Sequence, residues 1–268
     1  MNPTSPRTLP EPHRAFLRGL LETLKRDERI VGVMAGGSYL TDSMDEFSDL
    51  DLVIAVDASH YAAVMDERQE IAALLGPLLA AFTGEHVGEP RLLICLYDAP
   101  LLHVDLKFVS MTDIDKRVED PAVLWERDGS VTQALKRGVA EYPMPAPAWI
   151  EDRFWIWVHY GATKIARGEL FEAIDFLSAL RNIVLGPMGL RRAGMRPQGV
   201  RKIEMLAPAL GEELRKTVAT YDAADCLRAL RACVDIYRKL RSVQTESAAE
   251  RAAMEYLDAV EARCGVTS

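Results

Sequence analysis

The feature that most constrains this chain is a change of apolar period about halfway along it. Up to residue 109 the apolar residues come partly as short β-branched runs, and beyond Tyr142-Pro143-Met144-Pro145-Ala146-Pro147 their period is helical throughout. Leu170, Ile174, Leu177 and Val184 share one helix face, and Leu227, Leu230, Val234 and Tyr237 share another. The prolines at 143, 145 and 147 predict a stiff linker between the two regimes. At roughly 100 to 200 residues per domain, 268 residues divide naturally there. We expect a mixed α/β domain over 1–142 and a helical bundle over 143–268, a pairing that commonly shelters a ligand.

Within the first part, Phe16, Leu17, Leu20, Leu21 and Leu24 have the spacing of one helix face, so 11–27 is expected to open the domain as an amphipathic helix. Ile30–Ala35 and Leu50–Val56 read as strands. The Ala, Leu and Met content between Tyr61 and Phe82 predicts a helix. Arg91–Tyr97 and Leu101–Val109 read as two strands joined by the turn-like Asp98-Ala99-Pro100. After Asp113 the strand signal fades.

The charge is unevenly spread. Residues 1–140 hold 23 acidic against 14 basic side chains, whereas residues 141–268 hold 17 against 18. A net charge of −8 argues against nucleic-acid and membrane partners, which select basic patches. It suits a site that collects cations. Cys95, Cys226, Cys233 and Cys264 form no C-x-x-C pair, so they are expected as buried or free thiols of a reducing compartment. No apolar leader opens the sequence and no run approaches 18 apolar residues, which predicts a cytoplasmic protein.

The chemistry concentrates at three points. The first strand ends in Gly36-Gly37-Ser38, and ten residues later Asp49-Leu50-Asp51 opens the second. Residues two apart on a strand share a face, so Asp49 and Asp51 project side by side. Two adjacent carboxylates repel unless a cation sits between them, and Mg²⁺, which takes one or two carboxylates with phosphates and water, fits. The same parity leaves His103, Asp105 and Lys107 opposite the apolar Val104, Leu106 and Phe108. Asp105 is therefore expected beside Asp49 and Asp51, a set able to hold two metals about 3.5–4 Å apart for an in-line phosphoryl displacement. Gly36 and Gly37 allow close backbone approach to a polyphosphate, with N–H groups and the Ser38 hydroxyl as donors.

G-G-S, ten residues, D-L-D and a distant strand Asp resemble the nucleotidyltransferase superfamily of DNA polymerase beta and the antibiotic nucleotidyltransferases. Phe154-Trp155, Tyr160, Lys164 and Phe171-Glu172-Ala173-Ile174-Asp175 resemble the helical domain of streptomycin 6-adenylyltransferases and lincosamide-modifying enzymes. The resemblance implies an α+β protein: an N-terminal nucleotidyltransferase-type mixed sheet flanked by helices, followed by a C-terminal α-helical bundle. It implies transfer of a nucleoside monophosphate from a nucleoside triphosphate, with ATP expected, to a hydroxyl of a small molecule such as an aminoglycoside or lincosamide. Asp49 and Asp51 would bind Mg²⁺. Gly36, Gly37 and Ser38 would hold the outer phosphates, and Lys164 would neutralise the triphosphate. Asp105 would share a metal and help deprotonate the acceptor, and Asp175 stands where streptomycin-modifying relatives place a base.

Other residues have plainer readings. Asp42, Asp45 and Glu46 are expected to solvate a loop. Arg191, Arg192, Arg196, Arg201 and Lys202 form a basic loop whose sharper reading is contact with phosphate. Trp149, Phe154, Trp155 and Trp157 are expected to pack a domain interface. A competing function is an antitoxin-like nucleotidyltransferase that modifies or binds a protein partner, which the fused bundle weakens. A polymerase would need a basic track along its cleft, and none stands out.

Overall fold

A computed structural model describes residues 5–242 and 245–265. Residues 1–4, at the start of the segment read as leaderless, lie outside the described residues, and so do 243, 244 and 266–268. The chain forms two compact units, Met1–Glu141 and Tyr142–Ser268.

The first unit is a six-stranded mixed sheet with short helices. In chain order it contains α1 (Glu11–Leu24), β1 (Ile30–Ala35), β2 (Leu50–Val56), α2 (Tyr61–Asp66), α3 (Arg68–Ala73), β3 (Leu78–Gly84), β4 (Glu89–Tyr97), β5 (Leu102–Ser110), β6 (Ala122–Glu126) and α4 (Ser130–Leu135). The sheet order is β3-β4-β5-β2-β1-β6. β2 and β5 run parallel, and the other neighbours are antiparallel. Alternation sorts the side chains. Leu50, Leu52, Ile54 and Val56 of β2 and Val104, Leu106 and Phe108 of β5 enter the main core, which includes Leu17, Leu20 and Leu24 of α1 and Leu93, Cys95 and Tyr97 of β4. The opposite face carries Asp51 and Asp105 and, farther along, a smaller apolar cluster of Met34, Ala55, Val109 and Ile114 with Val131 and Ala134 of α4.

Two elements differ from the sequence expectation. The helix expected over 61–82 ends at Ala73, and Leu78–Gly84 is an edge strand. Gly76-Pro77 explains the break: proline supplies no N–H and pushes the residue before it out of helical geometry. Pairing with β4 then overrides the helical preference of Leu-Leu-Ala-Ala, because strand preference is set mostly by neighbours. β6 lies where the strand signal fades, and its pairing with β1 holds it at the other edge.

The second unit is helical: α5 (Pro147–Ala166), α6 (Leu170–Leu180), α7 (Gly186–Arg192), α8 (Ile203–Leu206), α9 (Pro208–Arg215), α10 (Ala223–Leu240) and α11 (Ala248–Arg263). A π-helical turn, Arg181–Leu185, joins α6 to α7. Pro147 starts α5 at a position where its missing N–H costs nothing. Phe154 and Trp155 pack inside this unit on Tyr237, the Phe154 and Tyr237 rings stacked 3.7 Å apart. Trp149 and Trp157 form an edge-to-face pair at 5.8 Å. Leu170–Arg192 is long and apolar enough to cross a membrane by length and composition, but half of it is buried, with Ala173, Leu177, Leu180, Val184 and Leu190 in the core. It is a core helix. Cys95, Cys226 and Cys233 are buried free thiols and Cys264 is an exposed one. Burial pushes the Cys95 and Cys233 thiols up to about 12.

Candidate active site

Strand register builds one row of residues across the sheet. Asp51 of β2 lies beside Asp105 of β5, Asp105 beside Ile94 of β4, and Ile94 beside Phe82 of β3. On the other side of Asp51 stands the glycine turn, where the Gly36 N–H donates to the Asp51 carbonyl at 2.9 Å. Neighbours in register point to the same face, so the row runs glycine turn, carboxylate, carboxylate, isoleucine, phenylalanine.

Asp49 stands just before β2, and one oxygen each from Asp49, Asp51 and Asp105 lies within 4.8 Å of the others. All three residues are half-buried. At an effective dielectric near 20, two ionised carboxylates at that distance repel by about 3 kcal/mol. A divalent cation reverses the sign. Opposite ligands on Mg²⁺ stand about 4.2 Å apart, so small side-chain adjustments would let the set grip one ion. His103 Nε2 lies 3.0 Å from Asp105 Oδ1 and fixes that carboxylate's orientation.

The glycine turn is built around the same carboxylate. Gly37 has φ +59°, and a Cβ there would stand 2.0 Å from Asp51 Oδ2. Only glycine satisfies both conditions. The Gly37 N–H donates to Glu119 Oε1 at 3.0 Å, and a Cβ on Gly36 would meet the same oxygen at 2.7 Å. Ser38 lies in the short 3₁₀ turn Gly37–Thr41 that follows.

The loop from Asp42 to Ser48 is held by bonds that solvation alone would not require. Asp42 Oδ1 accepts from the Thr8 N–H at 3.2 Å, which draws the Asp42 carboxyl below its ordinary range. Asp45 Oδ1 accepts from the Phe47 N–H at 3.0 Å. The buried His13 of α1 places Nε2 2.7 Å from the Ser48 carbonyl; a carbonyl only accepts, so that nitrogen carries the proton. These contacts deliver Asp49 to the mouth of β2.

Asp51 and Asp105 also line a cavity of about 310 Å³ on the same sheet face, floored by apolar side chains and rimmed by Glu89, Lys107, Lys116, Arg117 and Glu119. Glu89 bonds Arg91 at 2.7 Å and pairs with Lys107 at 2.6 Å. The Arg91 guanidinium, aided by Lys107, holds its carboxyl near 2 against an ordinary 4.5.

Lys164 and Asp175 belong to the second unit. On α5, Lys164 Nζ pairs with Glu169 at 2.6 Å and Glu172 at 3.1 Å, and the two carboxylates raise its pKa. Asp175 is exposed on α6. Of the basic stretch, Arg196 bonds Gln198 at 2.8 Å and lies over the Tyr142 ring, while Arg192 donates to the Lys239 carbonyl. Sequence reasoning missed Glu119 and the Glu89–Lys107 pair, which no motif marks.

The half-buried acidic set, the glycine turn and the sheet that carries them define the class: residues 17–88 match the family model described as the nucleotidyltransferase domain. The chain carries that domain and is a transferase. The match contains Gly36, Gly37, Ser38, Asp49 and Asp51 and ends before Asp105. Among solved structures, the chain is similar to an aminoglycoside 6-adenyltransferase from Bacillus subtilis at 18% identity, covering 91% of this chain and 97% of that one with a TM-score of 0.38. It is also similar to a nucleotidyltransferase-like protein from Exiguobacterium sibiricum 255-15, at 14% identity, 84% and 74% coverage and a TM-score of 0.39. A STING-associated CdnE c-di-GMP synthase from Capnocytophaga granulosa gives 11% identity, 85% and 79% coverage and a TM-score of 0.29. No curated protein matches the sequence.

Proposed function

We propose that this protein transfers a nucleoside monophosphate from ATP or another nucleoside triphosphate to a hydroxyl of a small molecule, with aminoglycoside and lincosamide antibiotics as candidate acceptors and resistance as the outcome. The observation that carries the reading is the convergence of Asp49, Asp51 and Asp105 within 4.8 Å of one another, next to a turn in which only glycine fits. Mg²⁺ held by these carboxylates would neutralise phosphate charge. The cytoplasm, where triphosphates are at hand, is the setting this reading implies.

The chain's own residues then divide the work. Gly36, Gly37 and Ser38 receive the outer phosphates through backbone N–H groups and the hydroxyl, and the Gly37 N–H exchanges Glu119 for a phosphate oxygen. Asp105, oriented by His103, takes the proton of the acceptor hydroxyl as its oxygen bonds to the α-phosphorus and the bond to the pyrophosphate oxygen breaks. Little covalent chemistry is asked of the protein, so positioning carries most of the rate. Lys164 and Asp175 are proposed for triphosphate neutralisation and base duty on the resemblance of their helices alone.

The test is pyrophosphate release from each nucleoside triphosphate with Mg²⁺, over a panel of hydroxylated antibiotics, with product mass as readout. Acceptor-dependent release that Asp49→Ala and Asp51→Ala abolish is expected. Release unaffected by either substitution contradicts the assignment.

A further inference from the structure

Resting on the reading just given, we infer that the acceptor carries an apolar face, alkyl or aryl, beside its reactive hydroxyl, and that Ile94, Leu96 and Phe82 form the platform that receives it. Two independent features lead there. The first is direction. In-line displacement puts the entering oxygen opposite the leaving pyrophosphate. With the outer phosphates at the glycine turn beyond Asp51, the acceptor must arrive from the Asp105 side of the row. The acceptor body then lies over β4 and β3.

The second is what that ground is made of. Beyond Asp105 the row continues as Ile94 and Phe82, and the adjacent row as His103, Leu96 and Ala80. Strands stand about 4.8 Å apart, so Phe82 lies roughly 10 Å from Asp105 along the row, the width of a two-ring molecule. Phe82 is 54% exposed and Leu96 37% exposed. Ile94 is half-buried. The only ring contact of Phe82 among the described residues is with His86, at 5.6 Å. An acceptor made of polar, multiply charged rings alone would leave this surface wet, whereas one with an apolar flank covers it while the hydroxyl meets Asp105.

A matched pair of probes tests this: 4-nitrophenyl β-D-glucopyranoside and methyl β-D-glucopyranoside present the same sugar hydroxyls and differ in the aryl arm. Binding is followed by saturation-transfer NMR with Mg²⁺ and a non-hydrolysable ATP analogue. The aryl glycoside should bind about tenfold more tightly, in line with burial of part of one ring. Phe82→Ala should erase most of that advantage, and Phe82→Leu should keep most of it. Because Phe82 is exposed, a melting curve checks that the variants stay folded; Leu96→Ser provides a second probe of the same platform. Equal binding of the two glycosides, no detectable binding of either, or an aryl advantage unchanged in both Phe82→Ala and Leu96→Ser overturns the inference. Pyrophosphate release that requires Asp49 and Asp51 would still stand in that case, so the two readings fail separately.

Discussion

Two acidic clusters, one in each unit, are built in opposite ways. In the helical unit, Glu250 of α11 is only 2% exposed, yet it accepts from Arg238 at 2.8 Å and Arg241 at 2.7 Å. Glu151 of α5 accepts from the Trp155 indole at 2.9 Å and from the Tyr237 hydroxyl at 2.6 Å. Each of these two carboxylates accepts from α10 or the arginine that follows it, so charge works as a clasp between α5, α10 and α11. In the sheet unit three carboxylates converge on one another at the edge of the apolar core. Repulsion of that kind weakens a fold, and under the proposed reading a divalent cation would offset it. Opposite charges buried together hold helices to one another; like charges gathered on a half-exposed sheet face are what a bound cation would offset.

This contrast can be broken at several points. The largest effect is expected from Glu250→Ala, which leaves two arginines short of a buried partner and should cost about 3 kcal/mol of stability, read by denaturant unfolding, with no change in turnover per folded molecule. Gly37→Ala works the other way. Its methyl would collide with Asp51 Oδ2 in a left-handed backbone, so turnover should fall at least as far as the cost of that conformation, about 1–2 kcal/mol, accounts for.

A pH effect comes next. Glu89 is held near 2 by Arg91 and Lys107 against an ordinary 4.5. Its contribution to stability is therefore fully present above about 4.5 and lost as pH falls toward about 2. The difference in melting temperature between wild type and Glu89→Gln should shrink across that window, and a difference that persists to its lower end contradicts the pairing. The smallest effect is expected at Lys164. If it serves the triphosphate, Lys164→Ala should raise the KM for the nucleotide by about tenfold or less; an unchanged KM would assign Lys164 wholly to its ion pairs with Glu169 and Glu172.

Much of this comparison could be read in the residues. Period-two alternation was enough to put Asp105 on the face of Asp51, because the face of a strand residue depends only on local parity and the apolar partners that fix it. Helical spacing marked the second unit for the same reason. What stayed hidden depends on distant pairing. Leu78–Gly84 has helix-forming composition, and only the hydrogen bonds of β4 make it a strand. β6 offers five residues and owes its place to β1. Glu119 reaches the glycine turn from 82 residues away, a separation no motif spans. The loop acids Asp42 and Asp45 are exposed, as expected of solvating residues, and each also accepts from a backbone N–H, of Thr8 and Phe47 respectively, a bond that a sequence does not display.

The central claim, that Asp49, Asp51 and Asp105 form one cation-binding centre, is tested most directly by titrating the protein with Mn²⁺ as a stand-in for Mg²⁺ and following free ion by electron paramagnetic resonance. The account predicts saturable binding, competed by Mg²⁺, that is lost in the Asp49→Ala, Asp51→Ala double variant while the fold persists. Equal binding by wild type and the double variant would contradict it.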